Sequence, residues 1–471
     1  MKHDFSAFFN PESIAVIGAS RDEKSVGFGI LKNLVRGCVF RSNYCRPFPG
    51  KIYPVNPYAD ELLGISCHSN LKSIPDKIDL AIIAVPAKLC VQIAKECVAK
   101  KVRAVIVISA GFSEAGEEGK KRQQELASIL GKAGIPLLGP NCLGILRPSS
   151  NLNASFAPSM PASGHVAFIS QSGALADSII DWAIEQRYGF SAIISYGNKA
   201  MLDCADFLDY CADDAETHAI ALYIEGVNDG RKFMDAAKRA ALKKPVVVLK
   251  AGRASRAIAA ISSHTGSMAG SYEVYEAAFR QSNLIIADTV EELFDLAKAL
   301  AHQPACGNSI AIVTNGGGCG VLCADYCEQL GIILPELRKE TLKKLEATGK
   351  MHPAYSRANP LDIVGDALPE RYDVALNTLL AEEYISGVIV IQTLQTMTEP
   401  MKDAQVIISA KSRYPQKAVL CVYMGGKYSR EGSRLLEEAG IPDYNDLRKA
   451  ARAMAALISR KEMLSQLPKK P

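Results

Sequence analysis

His264 lies in a stretch of small and flexible residues, 260–270. The stretch follows an apolar run at 245–249, which is typical of a buried strand, and precedes a helical pattern that begins near Ser271. It is therefore expected to be a loop beyond the carboxyl end of a strand, where parallel α/β sheets usually place their chemistry. A neutral imidazole there can act as a base, a ligand or a nucleophile, and as a nucleophile it can carry a phosphoryl group. An ordinary loop histidine is the alternative.

Glu225 is the candidate for orienting that histidine. It closely follows the apolar run 219–223, a predicted strand. A carboxylate at this position can accept a hydrogen bond from one ring nitrogen of His264, which fixes the tautomer and leaves the other nitrogen nucleophilic. A solvated loop glutamate is the alternative.

Two turns rich in small residues follow the first strands of two similar segments, at 165–169 and 309–314. Each leads into a helix that begins with small residues, so the two segments look related. A helix N-terminus binds anions, phosphate above all, and glycine lets the backbone approach the anion closely. Two such turns suggest a highly charged phosphorus ligand, although either turn alone is equally consistent with the start of a buried helix. The residues of the two turns are Gln171, Ser172, Gly173, Gly316, Gly317 and Gly318.

The first part of the chain is predicted to be a Rossmann-like domain. Apolar runs that read as strands occupy 13–18, 51–55, 79–85, 104–108 and 135–139, with helical patterns near 87–100 and 119–133. Strand and helix alternate, and the strands are apolar on both faces. The sheet is therefore expected to be parallel and covered by helices on both sides.

The glycine turn after the first strand raises the hypothesis of an NAD(P)-dependent dehydrogenase. The turn at 18–27 is not G-x-G-x-x-G, and the second strand ends in the sequence PVNP (54–57) without the acidic residue that holds the ribose hydroxyls. What remains is a phosphate cradle with Arg21 and Lys24 nearby. Such a cradle fits a nucleotide that bears extra phosphates.

Two breaks in the pattern divide the rest of the chain. The stretch 147–163 is rich in Pro and Ser and is predicted to be a linker, and a second break lies at 302–308. Strand and helix alternate again after each break, which predicts doubly wound, flavodoxin-like domains. The predicted domains are 1–147, 160–301 and 308–465.

Length and composition agree with several domains of a globular α/β protein. The chain has 471 residues, of which 48% are hydrophobic and 22% charged. Its net charge of +4 is not concentrated in basic blocks, so we expect no nucleic-acid partner. No segment has the long apolar run of a signal peptide or a membrane span, so no membrane partner is expected and a cytoplasmic location is predicted.

The chain has thirteen cysteines, an odd number, and no pair with C-x-x-C spacing. Cys204 and Cys211 lie two turns apart on a predicted helix but have no matching histidines. No metal site is therefore predicted, and the cysteines are interpreted as small core residues in a reducing compartment. Those inside apolar patterns include Cys90, Cys97, Cys323 and Cys421.

Seven short motifs along the whole chain carry a resemblance to a known family. They are IGAS (17–20), YPVNP (53–57), GPNC (139–142), SQSG (170–173), IEG (224–226), SHTG (263–266) and TNGGG (314–318). In this order they resemble the α subunit of the nucleoside-diphosphate-forming acyl-CoA synthetases, specifically ADP-forming acetyl-CoA synthetase, which are relatives of succinyl-CoA synthetase.

The resemblance implies a CoA-binding first domain followed by two ligase domains of the succinyl-CoA synthetase type. The phosphates of CoA or acyl-CoA are expected near the first glycine turn, with the rest of the ligand passing the ends of the second and third strands. The residues expected to bind CoA are Gly18, Ala19, Ser20, Lys24, Val55, Asn56, Pro57, Ala84, Val85, Pro86 and Asn141.

The resemblance also implies that His264 is phosphorylated, that Glu225 orients it, and that the helices after Ser172 and Gly317 hold the phosphohistidine. In this family acyl-CoA and phosphate give an acyl phosphate, the histidine takes the phosphoryl group, and ADP receives it to form ATP. The ATP-grasp domains of the family have no counterpart in this sequence. The expected partner is therefore a β subunit that carries them and binds ADP or ATP with Mg²⁺, in an α2β2 assembly acting on small-molecule substrates.

Two other functions stay open at this point. A CoA-sensing or scaffold module without turnover would share the architecture, but the presence of both His264 and Glu225 argues against it. The dehydrogenase is weakened by the ending of the second strand at 54–57.

Overall fold

The computed structural model describes residues 4–254, 256 and 271–466. The chain divides into two compact units, Met1–Asp288 and Thr289–Pro471, which we call unit one and unit two. The predicted phosphohistidine loop with His264 lies outside the described residues.

Strands and helices alternate along the first half of unit one. The strands are β1 (Ser13–Ile17), β2 (Lys51–Val55), β3 (Glu61–Leu62), β4 (Ile65–Ser66), β5 (Leu80–Ile83), β6 (Ala104–Val107) and β7 (Leu137–Leu138). The helices are α1 (Ser6–Phe9), α2 (Val26–Arg36), α3 (Ala87–Lys100) and α4 (Glu117–Lys132). A parallel sheet has the order β2-β1-β5-β6-β7, and β1, β5 and β6 are buried along their whole length. The predicted Rossmann-like sheet is confirmed.

The second half of unit one is built around a larger sheet. Its strands are β8 (Gly144–Arg147), β9 (Leu152–Ser155), β10 (Ala162–Ser170), β11 (Gly189–Ser195), β12 (Ala219–Ile224), β13 (Val246–Lys250) and β14 (Ile285–Ile286). The described helices are α5 (Gly173–Glu185), α6 (Cys204–Asp213), α7 (Gly230–Lys243) and α8 (Tyr272–Gln281). The strand order is β14-β13-β12-β10-β11-β8-β9, and β10 to β14 pair in parallel.

The stretch 147–163 is not a linker, and that prediction was wrong. β8 and β9 form an antiparallel hairpin that adds to the edge of β11. The four residues of β9 are all buried, including Asn153 and Ser155. Its polar residues are accommodated because they bond within the segment, as Ser155 Oγ does to Asn153 Oδ1 at 2.6 Å.

The two sheets of unit one share a continuous core. Asn33 of α2 is fully buried and donates through Nδ2 to the carbonyls of Ser155 (2.9 Å) and Ala157 (2.8 Å) beside β9. Phe9 of α1 stacks on Tyr210 of α6 with ring centroids 4.1 Å apart. The first sheet therefore packs on the second through its helices, and the two halves stabilise each other.

Unit two is a further doubly wound domain. Its strands are β15 (Ile310–Thr314), β16 (Leu361–Asp362), β17 (Gly387–Thr393), β18 (Ala418–Met424) and β19 (Asp443–Tyr444), in the parallel order β16-β15-β17-β18-β19. Its helices are α9 (Val290–His302), α10 (Gly317–Gln329), α11 (Lys339–Ala347), α12 (Pro369–Ala381), α13 (Pro400–Arg413), α14 (Arg430–Glu438) and α15 (Leu447–Ser465).

Helix α9 packs within unit two, whereas the sequence analysis placed it at the end of the second domain. Lys298 of α9 pairs with Glu437 (2.7 Å) and donates to the carbonyl of Asp443 (2.9 Å). Tyr444 donates to the carbonyl of Asp295 at 3.0 Å. These contacts anchor α9 against α14 and β19, while the division of the chain into domains at 1–147, 160–301 and 308–465 stays a prediction.

The cysteines are mostly free and buried, as expected for Cys90, Cys97, Cys323 and Cys421. Cys38 and Cys45 depart from the expected reduced set, because a disulfide joins them in the loop after α2. This pair, seven residues apart, was not singled out from the sequence. Among the described helices, none has the length and apolar character needed to cross a bilayer.

Candidate functional site

Gly18 turns the chain at the carboxyl end of β1 with a φ of +91°. A Cβ at this position would lie 2.4 Å from the carbonyl oxygen of Ala84, which follows β5. A Cβ on Gly27 in α2 would lie 1.9 Å from the carbonyl oxygen of Gly18. Glycine is therefore required at both positions for the turn, the neighbouring strand end and the start of α2 to approach so closely.

The N-terminus of α2 faces this turn. Ser25 caps the helix, because its Oγ accepts from the N–H of Phe28 at 3.2 Å. Asn56 donates through Nδ2 to the carbonyl of Ala19 at 2.7 Å and so ties the end of β2 to the turn after β1. This combination of a glycine turn and a capped helix can cradle a phosphate group.

Most of the predicted CoA-binding residues are brought to one place. They follow the carboxyl ends of β1, β2 and β5, which are neighbours in the sheet. The residues at this edge are Gly18, Ala19, Ser20, Lys24, Val55, Asn56, Pro57, Ala84, Val85 and Pro86.

Asn141 lies at the junction of the two sheets of unit one. Its N–H donates to the carbonyl of Ser109 at 3.0 Å, and its Nδ2 donates to Oδ1 of Asn198 at 3.3 Å. Ser109 in turn donates through Oγ to the carbonyl of Val85 at 2.5 Å. Asn141 is thus linked to the predicted CoA edge through the loop after β6.

The loop after β6 was not predicted to be part of the site. Glu114 accepts the N–H groups of Gly111 (2.6 Å) and Phe112 (3.1 Å) and a bond from Nδ2 of Asn198 (2.5 Å). Burial raises the pKa of Glu114, but hydrogen bonds from Asn198 and the backbone outweigh it and the pKa is lowered. An ionised carboxylate therefore holds this loop at the carboxyl edge. The signal in the sequence was a glycine soon after an apolar run, at Gly111.

The first predicted phosphate turn starts α5 at the carboxyl end of β10. Ser172 is the N-cap, and its Oγ accepts from the N–H of Leu175 at 3.3 Å. Ser170 braces the turn, since its Oγ donates to the carbonyl of Ser172 at 2.8 Å. A Cβ on Gly173 would have contacts of 3.5 Å or more, so Gly173 is not required by crowding from the described residues.

Gln171 and Glu225 are held together by direct hydrogen bonds. Oε1 of Gln171 accepts the N–H groups of Glu225 (3.0 Å) and Gly226 (3.1 Å), and the N–H of Gln171 donates to the carbonyl of Tyr223 (3.2 Å). Glu225 is only 8% exposed. It is therefore not a solvated loop residue, and its position directly after β12 is the predicted one.

The second predicted phosphate turn starts α10 in unit two. Gly316 is the N-cap, and a Cβ on it would lie 2.7 Å from the side chain of Thr393. A Cβ on Gly317 would lie 2.5 Å from Oδ2 of Asp362, whereas a Cβ on Gly318 would have no described atom within 4 Å. The backbone of Gly318 is thus accessible to a ligand, and a carboxylate stands beside the helix N-terminus.

Asn315 links this turn to the end of β17 by hydrogen bonds. Its Oδ1 accepts the N–H (2.7 Å) and Oγ1 (3.0 Å) of Thr393, and its carbonyl accepts from Nε2 of Gln395 (3.3 Å). Neither Thr393 nor Gln395 was predicted from the sequence, because they lie about eighty residues further along the chain, at and just after the end of β17.

His264 lies outside the described residues, so its pairing with Glu225 stays a prediction. The joint use of the turns at Ser172 and Gly317 also stays a prediction, because they belong to different units. Two lysines that the sequence analysis did not single out, Lys199 and Lys250, are buried at the same edge as Glu225. In the described part of the chain no group of three or more His, Cys, Asp or Glu residues is placed to hold a metal ion.

The fold and the glycine turns at the carboxyl edges of its sheets are those of a nucleotide- or phosphate-binding α/β protein. Doubly wound parallel sheets carry glycine turns and capped helices at their carboxyl edges, which is the arrangement of α/β proteins that bind nucleotides and phosphate. Known families match the chain in three successive parts. Residues 12–148 match the "CoA binding domain", 163–300 the "succinyl-CoA ligase like flavodoxin domain" and 310–459 the "ligase-CoA domain".

Relatives of similar sequence narrow the class. Acetate–CoA ligase [ADP-forming] I of Archaeoglobus fulgidus is 44% identical over 97% of this chain and 64% of its own length. Acetate–CoA ligase [ADP-forming] II subunit alpha of Pyrococcus furiosus is 43% identical over 96% of this chain and 97% of its own length. The chain belongs to the ADP-forming acetate–CoA ligase family, and it spans less than two thirds of the Archaeoglobus relative.

A solved structure agrees with this family. The dinucleotide forming acetyl-coenzyme A synthetase 1 of Ca. Korarchaeum cryptofilum, in complex with phosphate and ADP, is 36% identical and superposes with a TM-score of 0.91. The match covers 99% of this chain and all of that one. The predicted α/β architecture is confirmed on this ground as well.

Proposed function

We propose that this chain is the α subunit of an ADP-forming acetyl- or acyl-CoA synthetase. The enzyme converts acyl-CoA, ADP and phosphate to the free acid, CoA and ATP, reversibly. The observation that supports this most is the buried Glu225, which Gln171 holds at a sheet edge next to a capped helix. A buried carboxylate is stable only when it is paired or hydrogen-bonded, and the group that we propose it orients is the imidazole of His264.

The reaction proceeds in three transfers. A phosphate oxygen attacks the thioester carbonyl, the C–S bond breaks, and CoA leaves as a thiolate that takes up a proton. A ring nitrogen of His264 then attacks phosphorus, and the P–O bond to the acyl group breaks with departure of a carboxylate. A terminal oxygen of ADP finally attacks the phosphorus, the N–P bond breaks, and ATP forms. Water must be kept from the acyl phosphate, because hydrolysis would waste its transfer potential.

The described residues support these steps. The capped N-terminus of α2 and the turn at Gly18 bind the phosphates of CoA. The N-terminus of α5, at Ser172 and Gly173, can offset the negative charge of a phosphoryl group, and so can the N-terminus of α10, at Gly316 to Gly318. Glu225 fixes the tautomer of His264, so that the nitrogen facing the acyl phosphate has a free lone pair.

The partner in this proposal is a β subunit that carries ATP-grasp domains and binds ADP or ATP with Mg²⁺. The proposal is supported by the Pyrococcus relative, which is named a subunit alpha and matches over almost its whole length. The assembly is proposed to be an α2β2 heterotetramer. A cytoplasmic location agrees with the predominance of free cysteines among the described residues.

Labelling with radioactive phosphate tests this function. The full chain, purified with any subunit that accompanies it, is incubated with acetyl-CoA and labelled phosphate. The synthetase is expected to gain protein-bound label that is labile in acid and stable in base, as a phosphoramidate is. A CoA-sensing module would bind CoA without gaining label, and a dehydrogenase would bind NADH instead; either result would overturn the proposal.

The CoA site is tested by Gly18→Ala in the full chain. The new Cβ would lie 2.4 Å from the carbonyl oxygen of Ala84, so the turns after β1 and β5 must move apart. CoA affinity measured by calorimetry is expected to fall by about tenfold, as for the loss of one good phosphate contact. Gly134→Ala is the matched control, because Gly134 also has a positive φ but has no described atom within 4 Å of its Cβ position. Equal CoA affinities for both variants would remove Gly18 from the site.

A further inference from the structure

Lys250 is a buried cation at the carboxyl edge of the second sheet. It is the last residue of β13 and is 2% exposed. In the pairing of β12 with β13 it stands opposite Ile224, the residue before Glu225. Its Nζ lies 4.6 Å from the ring centroid of Tyr275 in α8 and donates to the carbonyl of Ala251. The ammonium group is thus enclosed by a strand end, a backbone carbonyl and an aromatic face.

Lys199 is a second buried cation at this edge. It lies between β11 and α6, has a φ of +58° and is 8% exposed. Its Nζ donates to the carbonyl of Gly226 at 2.8 Å, so the Lys199 side chain binds the residue that directly follows Glu225. A left-handed backbone is unfavourable for lysine, and its presence here is consistent with a requirement on where the side chain points.

The turn that carries Glu225 is therefore held from several sides. Gln171 binds the N–H groups of Glu225 and Gly226, and Lys199 binds the carbonyl of Gly226. The hydroxyl of Tyr275, whose ring covers Lys250, accepts from the N–H of Val227 at 3.1 Å. Lys199 thus binds the turn of Glu225 directly, and Lys250 lies on the neighbouring strand against the ring of Tyr275.

The charges of the cluster are coupled. Burial lowers the pKa of Lys250, and the negative charge of Glu225 opposes this shift. Burial likewise lowers the pKa of Lys199, and Cys204, Asp203 and Glu225 oppose it. Asp203 is itself paired with Lys232 (3.2 Å), which also binds Asp206 (2.6 Å). The negative charge of Glu225 and the positive charges of Lys199 and Lys250 attract each other.

We propose that Lys199 and Lys250 are positioning residues for phosphoryl transfer, which hold the turn of Glu225 in place and offset the charge of its carboxylate. The inference rests on the proposed function of Glu225. Burial makes the charge of the Glu225 carboxylate costly, and two ammonium groups that interact with it offset that cost.

Lys250→Met tests the proposal with the labelling assay in the full chain. Methionine has a similar length but no charge, so the rate of acid-labile labelling in a single turnover is expected to fall about tenfold, a size typical of residues that act through a neighbouring functional group. Lys244→Met is the matched control, because Lys244 is also partly buried but donates to the carbonyl of Cys211 before the start of β13. The control is expected to label at the wild-type rate.

The pH profile separates positioning from structure. The rate in the wild type is expected to fall as pH rises through the lowered pKa of the lysines, because the deprotonated amine no longer offsets charge. Lys250→Arg keeps the charge at high pH, so its rate should hold to a higher pH than the wild-type rate. The profile is measured between about pH 7 and pH 10.

The outcomes separate this inference from the proposed function. Wild-type labelling with an unaffected Lys250→Met rate would overturn the inference and leave the proposed function standing. Absence of label in the wild type would overturn both. If Lys250→Met does not fold, as shown by circular dichroism, Lys250→Arg decides: a profile identical to that of the wild type would overturn the inference.

Discussion

The His264→Ala variant is expected to gain no acid-labile label and to make no ATP from acetyl-CoA, ADP and phosphate. The methyl group cannot form an N–P bond, and the hydroxyl groups of Ser262, Ser263 and Thr265 nearby would give phosphate esters, which survive acid. Label and ATP formation should therefore both fall to background, whereas CoA binding by calorimetry should be retained. CoA binding survives because its proposed site lies at the first sheet.

A matched control removes a histidine from the same unit. His165 lies in β10 on the amino-terminal side of the sheet, and its Nδ1 lies 3.1 Å from the carbonyl oxygen of Glu216. His165→Ala is expected to label at the wild-type rate. Acid-labile label on the His264→Ala variant would show that another nitrogen carries the phosphoryl group, and acid-stable label would indicate a serine or threonine ester instead.

The parallel sheets could be predicted because their strands are apolar on both faces. β2 was predicted at 51–55 and found at Lys51–Val55, and α3 was predicted at 87–100 and found at Ala87–Lys100. Helix α3 ends where Lys101 adopts a left-handed backbone conformation. Local pattern and tertiary burial agree in these elements, so the prediction succeeds.

The hairpin of β8 and β9 could not be read from local pattern. Its Pro- and Ser-rich surroundings favour a loop, but Leu146 pairs with Ile193 and Asn153 pairs with Leu146 across the sheet edge. The pairing of Leu146 with Ile193 joins residues 47 positions apart, and a buried asparagine is acceptable only once its hydrogen bonds are known. Tertiary contacts therefore overrode the composition.

The sequence predicted the chemical groups of the candidate site, but not the residues that hold them in place. Glu225 follows a strand, which the sequence shows, whereas the bond from its N–H to Gln171 joins residues 54 positions apart. Lys250 directly follows the predicted strand 245–249, and only its 2% exposure shows that the charge is buried. Burial of charge is a tertiary property, so no motif at Lys199 or Lys250 could have revealed it.

Glu225→Gln is expected to separate the orienting role from a structural one. Glutamine keeps an oxygen that accepts a hydrogen bond, and the backbone bond to Gln171 is unaffected, but the negative charge is lost. The ring of His264 then becomes less basic, and the rate of labelling in a single turnover should fall by about 10- to 100-fold, the range found for carboxylates that support a functional imidazole. The position of the label should not change.

The stability of Glu225→Gln carries a second signature. Without the carboxylate, Lys199 and Lys250 lose a charge that favours their protonated forms, so the free energy of unfolding at neutral pH should fall by about 1 to 3 kcal/mol. The difference in stability between the variant and the wild type should shrink as pH rises. At high pH the two lysines of the folded protein are neutral and no longer interact with the charge of Glu225. Glu185→Gln is the control, since Glu185 is exposed at the end of α5, away from the carboxyl edge of the sheet; its stability should change by less than about 1 kcal/mol. A Glu225→Gln variant that labels at the wild-type rate would remove Glu225 from the mechanism, whatever its stability.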